Sequence, residues 1–321
     1  MSINQKISNL VTVVIPAYNS AVYLNECVES VEGQTYQQIE IIIIDDGSTD
    51  NTYDVVKELQ KKYSNIIYKK IENSKSPTAR NVGIGLASGE FISAIDADDI
   101  WPSDKLETQV AQLRKNPDAV ILGKVESFTM EDGVKKWRRV VRAPDIDSNA
   151  IYHEEILKMH MDQMVVFNTF MARTEIIQRY GLWNPEFITG HDWENWIRLS
   201  KKFQFIHIDK VFQYYRKHSS STTRGEIRYR GLTYQLRVIE RHSPIGFFGL
   251  LKQLEYKRVR YDSWIRIYVY ESKYKEAFKL LVKSLVNSNV LFSIAGLKLI
   301  AETLLKATKY LFKRKEASVQ D

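Results

Sequence analysis

Residues 39–44 read Ile-Glu-Ile-Ile-Ile-Ile, five β-branched apolar side chains around one acid. A run so short and so uniformly apolar has no wet face, so it must lie in a sheet covered on both sides, as parallel strands are. Its flanks repeat the theme. Val11-Thr-Val-Val-Ile-Pro-Ala17 is another β-branched run, and a helical stripe of Leu24, Cys27, Val28 and Val31 follows it. After residue 44, Ser48 and Thr49 offer N-caps to a helix carrying Val55, Val56 and Leu59. A strand is expected at Ile66–Tyr68, a helix at Thr78–Ala87 and a fourth strand at Phe91–Ile95. Strand–helix alternation at this spacing predicts an α/β domain with a mostly parallel central sheet, flanking helices and right-handed crossovers.

The middle of the chain is less regular. Val125–Val141, with Asp132-Gly133 at its centre, predicts a β-hairpin. A helical stretch near Glu154–Met159, an apolar run Met164–Met171, a helix at His191–Lys201 and one or two strands within Gln204–Tyr215 follow. His153 and His160 form no His-Glu-x-x-His motif and read as structural. Beyond Glu226 the pattern is entirely helical, so the expected division is 1–225 and 226–321.

Charge follows that division. Residues 226–321 carry 19 Lys and Arg against 9 Asp and Glu, whereas the first 225 residues carry 27 against 30. A basic helical third usually serves an anionic partner. Leu297, Ile300, Ala301, Leu304, Leu305, Thr308, Leu311 and Phe312 share one helix face opposite five charged side chains, four of them lysines. Ile245-Gly-Phe-Phe-Gly-Leu-Leu251 adds an apolar patch. Two readings stay open: packing on the first domain or on a second copy in a homodimer, and peripheral binding to an anionic membrane surface. Nucleic acid is the weaker partner, since no nucleic-acid motif accompanies the charge. The longest uncharged stretch there, Ser284–Leu297, has 14 residues, too few for a span of about 20. The N-terminus lacks the pattern of a signal peptide, and the lone Cys27 allows neither an internal disulfide nor a multi-cysteine zinc site. A cytoplasmic location, peripheral on the inner face of the cell membrane if the second reading holds, is the expectation.

In an open α/β sheet, ligands bind beyond the carboxyl ends of the strands. Those ends read Pro16-Ala-Tyr-Asn19, Asp45-Asp-Gly-Ser-Thr-Asp50 and Asp96-Ala-Asp-Asp99. Two acidic clusters on adjacent strand ends would repel each other unless something cationic or hydrogen-bond-donating joined them. Turn and cap chemistry explains Ser48, Thr49 and Asp50 but explains Asp96, Asp98 and Asp99 poorly. An Asp-x-Asp spacing suits a hard divalent cation that also bridges phosphate oxygens, Mn²⁺ or Mg²⁺. There is no P-loop, and Gly83–Gly89 has the wrong spacing and position for a dinucleotide fingerprint.

Taken in order, these segments, together with Ala79-Arg-Asn81, Ala87-Ser-Gly-Glu-Phe91, His191-Asp-Trp-Glu-Asn-Trp-Ile-Arg198 and Tyr214-Tyr-Arg-Lys-His218, resemble family 2 glycosyltransferases of the GT-A fold, over about residues 10–225. The resemblance implies a Rossmann-like domain that binds a nucleotide-sugar over about 10–125 and an acceptor over about 126–225. It implies an inverting transfer to a hydroxyl of a glycan or lipid-linked acceptor in cell-surface polysaccharide synthesis. Asp46 would accept the imide proton of uracil, and Pro16, Ala17 and Tyr18 would wall the base. Asp98, with Asp96 through a water, would hold the metal on the diphosphate. Arg80 has two readings, a phosphate contact and a structural partner for Asp96. Arg216 and His218, followed by Ser219–Thr223, would belong to a lid, with His218 joining the metal or diphosphate.

An inverting displacement needs a base opposite the leaving group, and Asp192 matches it by resemblance. His191 replaces the more usual Glu, which removes a negative charge and leaves the base less raised in pKa. Glu194 is the rival carboxylate, and a plain N-cap is the bland reading of Asp192. Trp183, Trp193 and Trp196 flank it as acceptor platforms or as core. Two other classes remain: a catalytically silent sugar-nucleotide-binding or scaffold subunit of a polysaccharide assembly complex, and a nucleotidyltransferase, which normally needs a Gly-rich basic loop after the first strand.

Overall fold

The buried apolar runs do become neighbouring strands. In the computed structural model, residues 6–141, 150–151, 168–187, 190–218, 226–242 and 273–287 are described, with individual positions between 253 and 268. In chain order they give β1 (Ile7–Ala17), α1 (Ala21–Glu32), β2 (Ile39–Asp45), α2 (Thr52–Lys62), β3 (Ile66–Lys70), α3 (Ser76–Leu86), β4 (Gly89–Ala94), α4 (Lys105–Lys115), β5 (Val120–Glu131) and β6 (Val134–Val141). There follow β7 (Ala150–Ile151), β8 (Met171–Arg173), α5 (Thr174–Tyr180), α6 (His191–Ser200), β9 (Phe205–Arg216), α7 (Glu226–His242) and α8 (Tyr274–Asn287). The chain divides into two compact units, Met1–Arg228 and Tyr229–Asp321, and the described residues of the second, Lys273 apart, are helical.

One sheet runs in the order β3-β2-β1-β4-β8-β5-β9-β7, with β6 paired to β5. Pairs β2–β3, β1–β2, β1–β4 and β5–β9 are parallel. The three-residue β8 lies antiparallel between β4 and β5, so β4, β5 and β9 point the same way. All seven residues of β2 are buried, as its composition requires. Its one acid at an interior position, Glu40, accepts the Ser88 and Gly89 backbone N–H groups and the Ser88 and Thr12 hydroxyls, fastening the start of β4 to β1 and β2. Leu24, Val28 and Val31 of α1 pack with Val13, Ile15, Ile41 and Ile43 in the same core as Leu106 and Val110 of α4. On the sheet's other face, α3 comes so close that a Cβ on Gly83 would stand 2.4 Å from Val14 Cγ1.

Several expectations change. The acidic clusters do not sit on adjacent strands, because β1 separates β2 from β4. Neither Ser48 nor Thr49 caps α2: Asn51 occupies the N-cap without a side-chain bond, and Asp50 accepts the Thr52 N–H at 3.0 Å. The hairpin is longer than expected, β5 starting at Val120, and Gln204–Tyr215 is a single bulged strand. The helix expected near Glu154–Met159, His153, His160, the Ser219–Thr223 run, the Ile245–Leu251 patch and the amphipathic face from Leu297 to Phe312 lie outside the described residues.

Candidate active site

The carboxyl ends of β1 and β2 build the first part of the site. Asp45 ends β2 fully buried, accepting the Ser48 N–H at 2.7 Å and the Tyr68 hydroxyl at 2.7 Å, so it is structural. Its neighbour Asp46 faces the other way. Its N–H donates to the Ala17 carbonyl at 2.8 Å, and its Oδ1 accepts the Ser74 N–H and hydroxyl at 2.7 and 3.0 Å. Among the described residues nothing donates to its Oδ2. Gly47 makes this turn with φ +78°, and Asn73 crosses so near that a Cβ there would lie 3.0 Å from the Asn73 nitrogen. Ala17 is covered and Pro16 half-buried, while Tyr18 is 51% exposed beside them.

Three carboxylates leave β4 within four residues, and each goes to a different partner. Asp96 Oδ1 takes Arg80 Nη2 at 2.5 Å, and Asn168 Nδ2 lies 3.5 Å from its Oδ2. Asp98 Oδ2 meets His218 Nε2 at 2.8 Å. Asp99, fully buried, accepts Gln213 Nε2 at 2.5 Å and the Arg216 N–H at 2.8 Å. Burial, with Asp98 and Asp192 nearby, raises Asp96 above the usual carboxylate range despite Arg80. Burial first, then Asp98 and Asp96, raise Asp99 further.

Arg80 is the hinge of the cluster. Emerging from the first turns of α3, 6% exposed, it donates to Ser76 Oγ at 2.7 Å and lies 3.6 Å from Asp192 Oδ1 as well as on Asp96. Of its two readings from sequence, the structure gives the partnership with Asp96. Asp192 is not an N-cap: Gly190, at φ 75°, caps α6 and Asp192 stands in the first turn. Trp183 Nε1 donates to its Oδ1 at 2.6 Å and His191 Nδ1 lies 3.1 Å away. Trp183 is itself fixed by two bonds to Asn81, of 2.7 and 2.8 Å. Burial opposes the charged form of Asp192, but His191, Arg80 and the Trp183 N–H together outweigh it and hold the carboxyl well below the usual range. Arg80, Asp96, Asn168, Trp183, Asp192 and Trp196 line one cleft.

Arg216 anchors the other side. Its Nε donates to the Asp98 carbonyl at 2.8 Å, its Nη2 bonds Glu26, and its guanidinium lies over Tyr23 and Phe128. The His218 ring lies 4.8 Å from that of Tyr23.

Thus Asp96 and Asp192 meet on Arg80, and Asp98 meets His218, with Arg216 on its backbone. Asp46 stands at the end of β2, two strands from β4. Trp193, like Trp196, is 1% exposed and belongs to the core rather than to an acceptor platform. Trp183 is equally covered, and its role is the hydrogen bond to Asp192. Glu194 is 2% exposed and paired with Arg198, which removes it as the rival base. Asp96 is paired with the buried Arg80 guanidinium and still feels the charge of Asp98. Among the described residues no group of three or more His, Cys, Asp or Glu is placed to hold a metal. Sequence reasoning missed Ser74, Asn168 and Glu26, whose local contexts carry no motif.

A Rossmann-like sheet carrying Asp46 and the Asp96–Asp99 cluster at its carboxyl edge, with Asp192 opening a helix beside them, is the GT-A arrangement. The profile of glycosyl transferase family 2 matches residues 12–181. Glycosyltransferase GlyG of Streptococcus pneumoniae serotype 4 is 31% identical over 228 residues, 68% of this chain and 74% of that protein. The Escherichia coli UDP-Glc:alpha-D-GlcNAc-diphosphoundecaprenol beta-1,3-glucosyltransferase WfaP is 29% identical over 256 residues, 76% of this chain and 95% of that one. The crystal structure of S. aureus TarS 1-349 in complex with UDP-GlcNAc superposes with a TM-score of 0.60 at 19% identity, covering 80% of this chain and 79% of that chain. The chain belongs to glycosyl transferase family 2 and has the GT-A fold.

Proposed function

We propose that the protein transfers a sugar, with inversion, from a UDP-sugar to a hydroxyl of a glycan or lipid-linked acceptor in cell-surface polysaccharide synthesis. The observation that carries this reading is Asp192, held ionised by His191, Arg80 and Trp183 on the wall of a small cleft. A carboxylate so held accepts a proton from an acceptor hydroxyl as the new C–O bond forms. Its low pKa costs basicity, which fixed position offsets. Asp46 Oδ2 is free to accept the uracil N3–H, with Tyr18 available to stack on the base. The UDP-sugar donor named for WfaP and the UDP-GlcNAc complex of TarS favour uridine.

Asp98 and His218, which share a proton at 2.8 Å, would hold Mn²⁺ once that proton is lost, whereas Mg²⁺ would rest on Asp98 alone. When bound, the cation would stabilise charge on the departing diphosphate. Arg216 holds the Asp98 carbonyl and so the loop that presents this pair. No helix among the described residues is long and apolar enough to cross a membrane. A lipid-linked acceptor would bring the enzyme to an anionic surface, to which the basic residues 226–321 would be attracted.

The test is a panel of nucleotide-sugars with Mn²⁺, scored for transfer and for donor hydrolysis, repeated with Asp192→Asn. Loss of transfer by roughly 10²–10⁴-fold with UDP binding retained is expected. Equal turnover by Asp192→Asn removes the base assignment, and no turnover with any donor favours a silent binding subunit.

A further inference from the structure

Glu26 lies on α1, outside every motif of the family resemblance, yet it joins three elements. Its Oε2 bonds Arg216 Nη2 at the end of β9, and its Oε1 bonds Lys135 Nζ of β6 at 2.7 Å. The Arg216 side chain is 5% exposed. It is sandwiched by Tyr23 and Phe128, at 5.1 and 4.8 Å from the ring centroids, and among the described contacts Glu26 is the carboxylate on its guanidinium. The rest of Arg216 is committed to the acidic loop: Nε to the Asp98 carbonyl, the backbone N–H to Asp99 Oδ1. Two residues on, His218 meets Asp98 Oδ2.

We propose that Glu26 is a positioning residue for the diphosphate end of the donor site: by neutralising Arg216 it fixes the loop that carries Asp98 against His218. Glu26 is 43% exposed and its charge partly screened, yet its loss leaves the buried Arg216 guanidinium without a carboxylate, and a shift of that group toward water would draw the Asp98–Asp99 backbone and the end of β9 with it. Lys135 pins the second oxygen of Glu26, so the hairpin β5–β6 holds the same strut from its other side. The consequence for nucleotide binding rests on the function proposed above; the effect on the loop does not.

Glu26→Gln keeps the shape and removes the charge. Hydrogen–deuterium exchange read at residues 96–100 and 213–218 tests the strut without any ligand. Faster exchange of the Arg216 and Ile100 amides, with β1 and β2 unchanged, is expected. Unchanged exchange there, or a uniform rise across the whole sheet, overturns the proposal. In parallel, calorimetry with Mn²⁺ and UDP compares wild type with Glu26→Gln and Glu26→Asp. An affinity loss of about tenfold in Glu26→Gln, the low end for partners of metal ligands, is expected, with the Asp variant intermediate and the melting temperature little changed. Wild-type affinity in Glu26→Gln would refute the positioning role, whereas a wild type that binds no UDP would count against the uridine reading while the exchange data still decide the strut.

Discussion

Replacing Arg80 by Met keeps the length and apolar stem of the side chain and deletes the charge shared by Asp96 and Asp192, at 2.5 and 3.6 Å. Breaking a buried ion pair from one side costs about 3–5 kcal/mol. The side chains of Asp96 and Asp192 keep 32% and 28% exposure, so solvent screens part of the loss and the low end, about 3 kcal/mol, is expected. For a domain of this size that lowers the melting temperature by roughly 6–12 °C at pH 7. The loss depends on pH with a definite sign. In the wild type Asp192 is depressed, so its stabilisation is present above the ordinary carboxylate pKa and fades as pH falls toward its folded value. In the variant Asp96, already raised by burial, loses its chief lowering partner and rises further, so its share of stability is present in acid and lost as pH rises through its folded value, while His191 and the Trp183 N–H still hold Asp192 down. The deficit of Arg80→Met must therefore be larger at pH 7 than at pH 4. Melting curves at the two values measure it, and a deficit independent of pH refutes the claim that Arg80 acts through charge rather than packing.

Two further substitutions test the frame. Gly47→Ala forces a Cβ against Asn73 at a left-handed backbone position, and should cost about 1–3 kcal/mol in urea denaturation. It should also weaken UDP binding, because Asn73 precedes the Ser74 that holds Asp46; unchanged UDP affinity would separate the turn from the site. Lys105, fully buried on Ser93 and Gln109, is pushed well below its ordinary pKa by burial. Its folded form resists protonation, so wild-type stability rises with pH from the lowered folded pKa and levels off where the unfolded lysine deprotonates, and Lys105→Met should lack that rise in thermal melts.

The strands and helices of the first hundred residues were legible because each element is longer than its ambiguity: β2 is isoleucine at five of its seven positions, and α1 repeats its apolar side at helical spacing. Strand β8 was not, since three residues carry no period, and its antiparallel seat between β4 and β5 is set by tertiary packing. Helix α4 escaped for a different reason. It buries Lys105 and Gln109 beside Leu106, Val110 and Leu113, so polar residues occupy core positions and blur the stripe.

At the site, residue types were readable and their division of labour was not. Asp96, Asp98 and Asp99 look alike in sequence, three acids after a buried strand, and charge repulsion alone would treat them as one ligand set. The fold separates them through partners between 16 and 120 positions away: Arg80 for Asp96, His218 for Asp98, Gln213 and the Arg216 amide for Asp99. One guanidinium, Arg80, with His218, the Gln213 amide and the Arg216 backbone N–H, thereby gives each acid of the tetrapeptide a partner of its own. Arg80 also reaches Asp192, so the charge that stabilises one end of β4 keeps a carboxylate ionised on the cleft wall. Stability and the proposed chemistry thus share a residue, although His191 and the Trp183 N–H would still favour the ionised Asp192 without it.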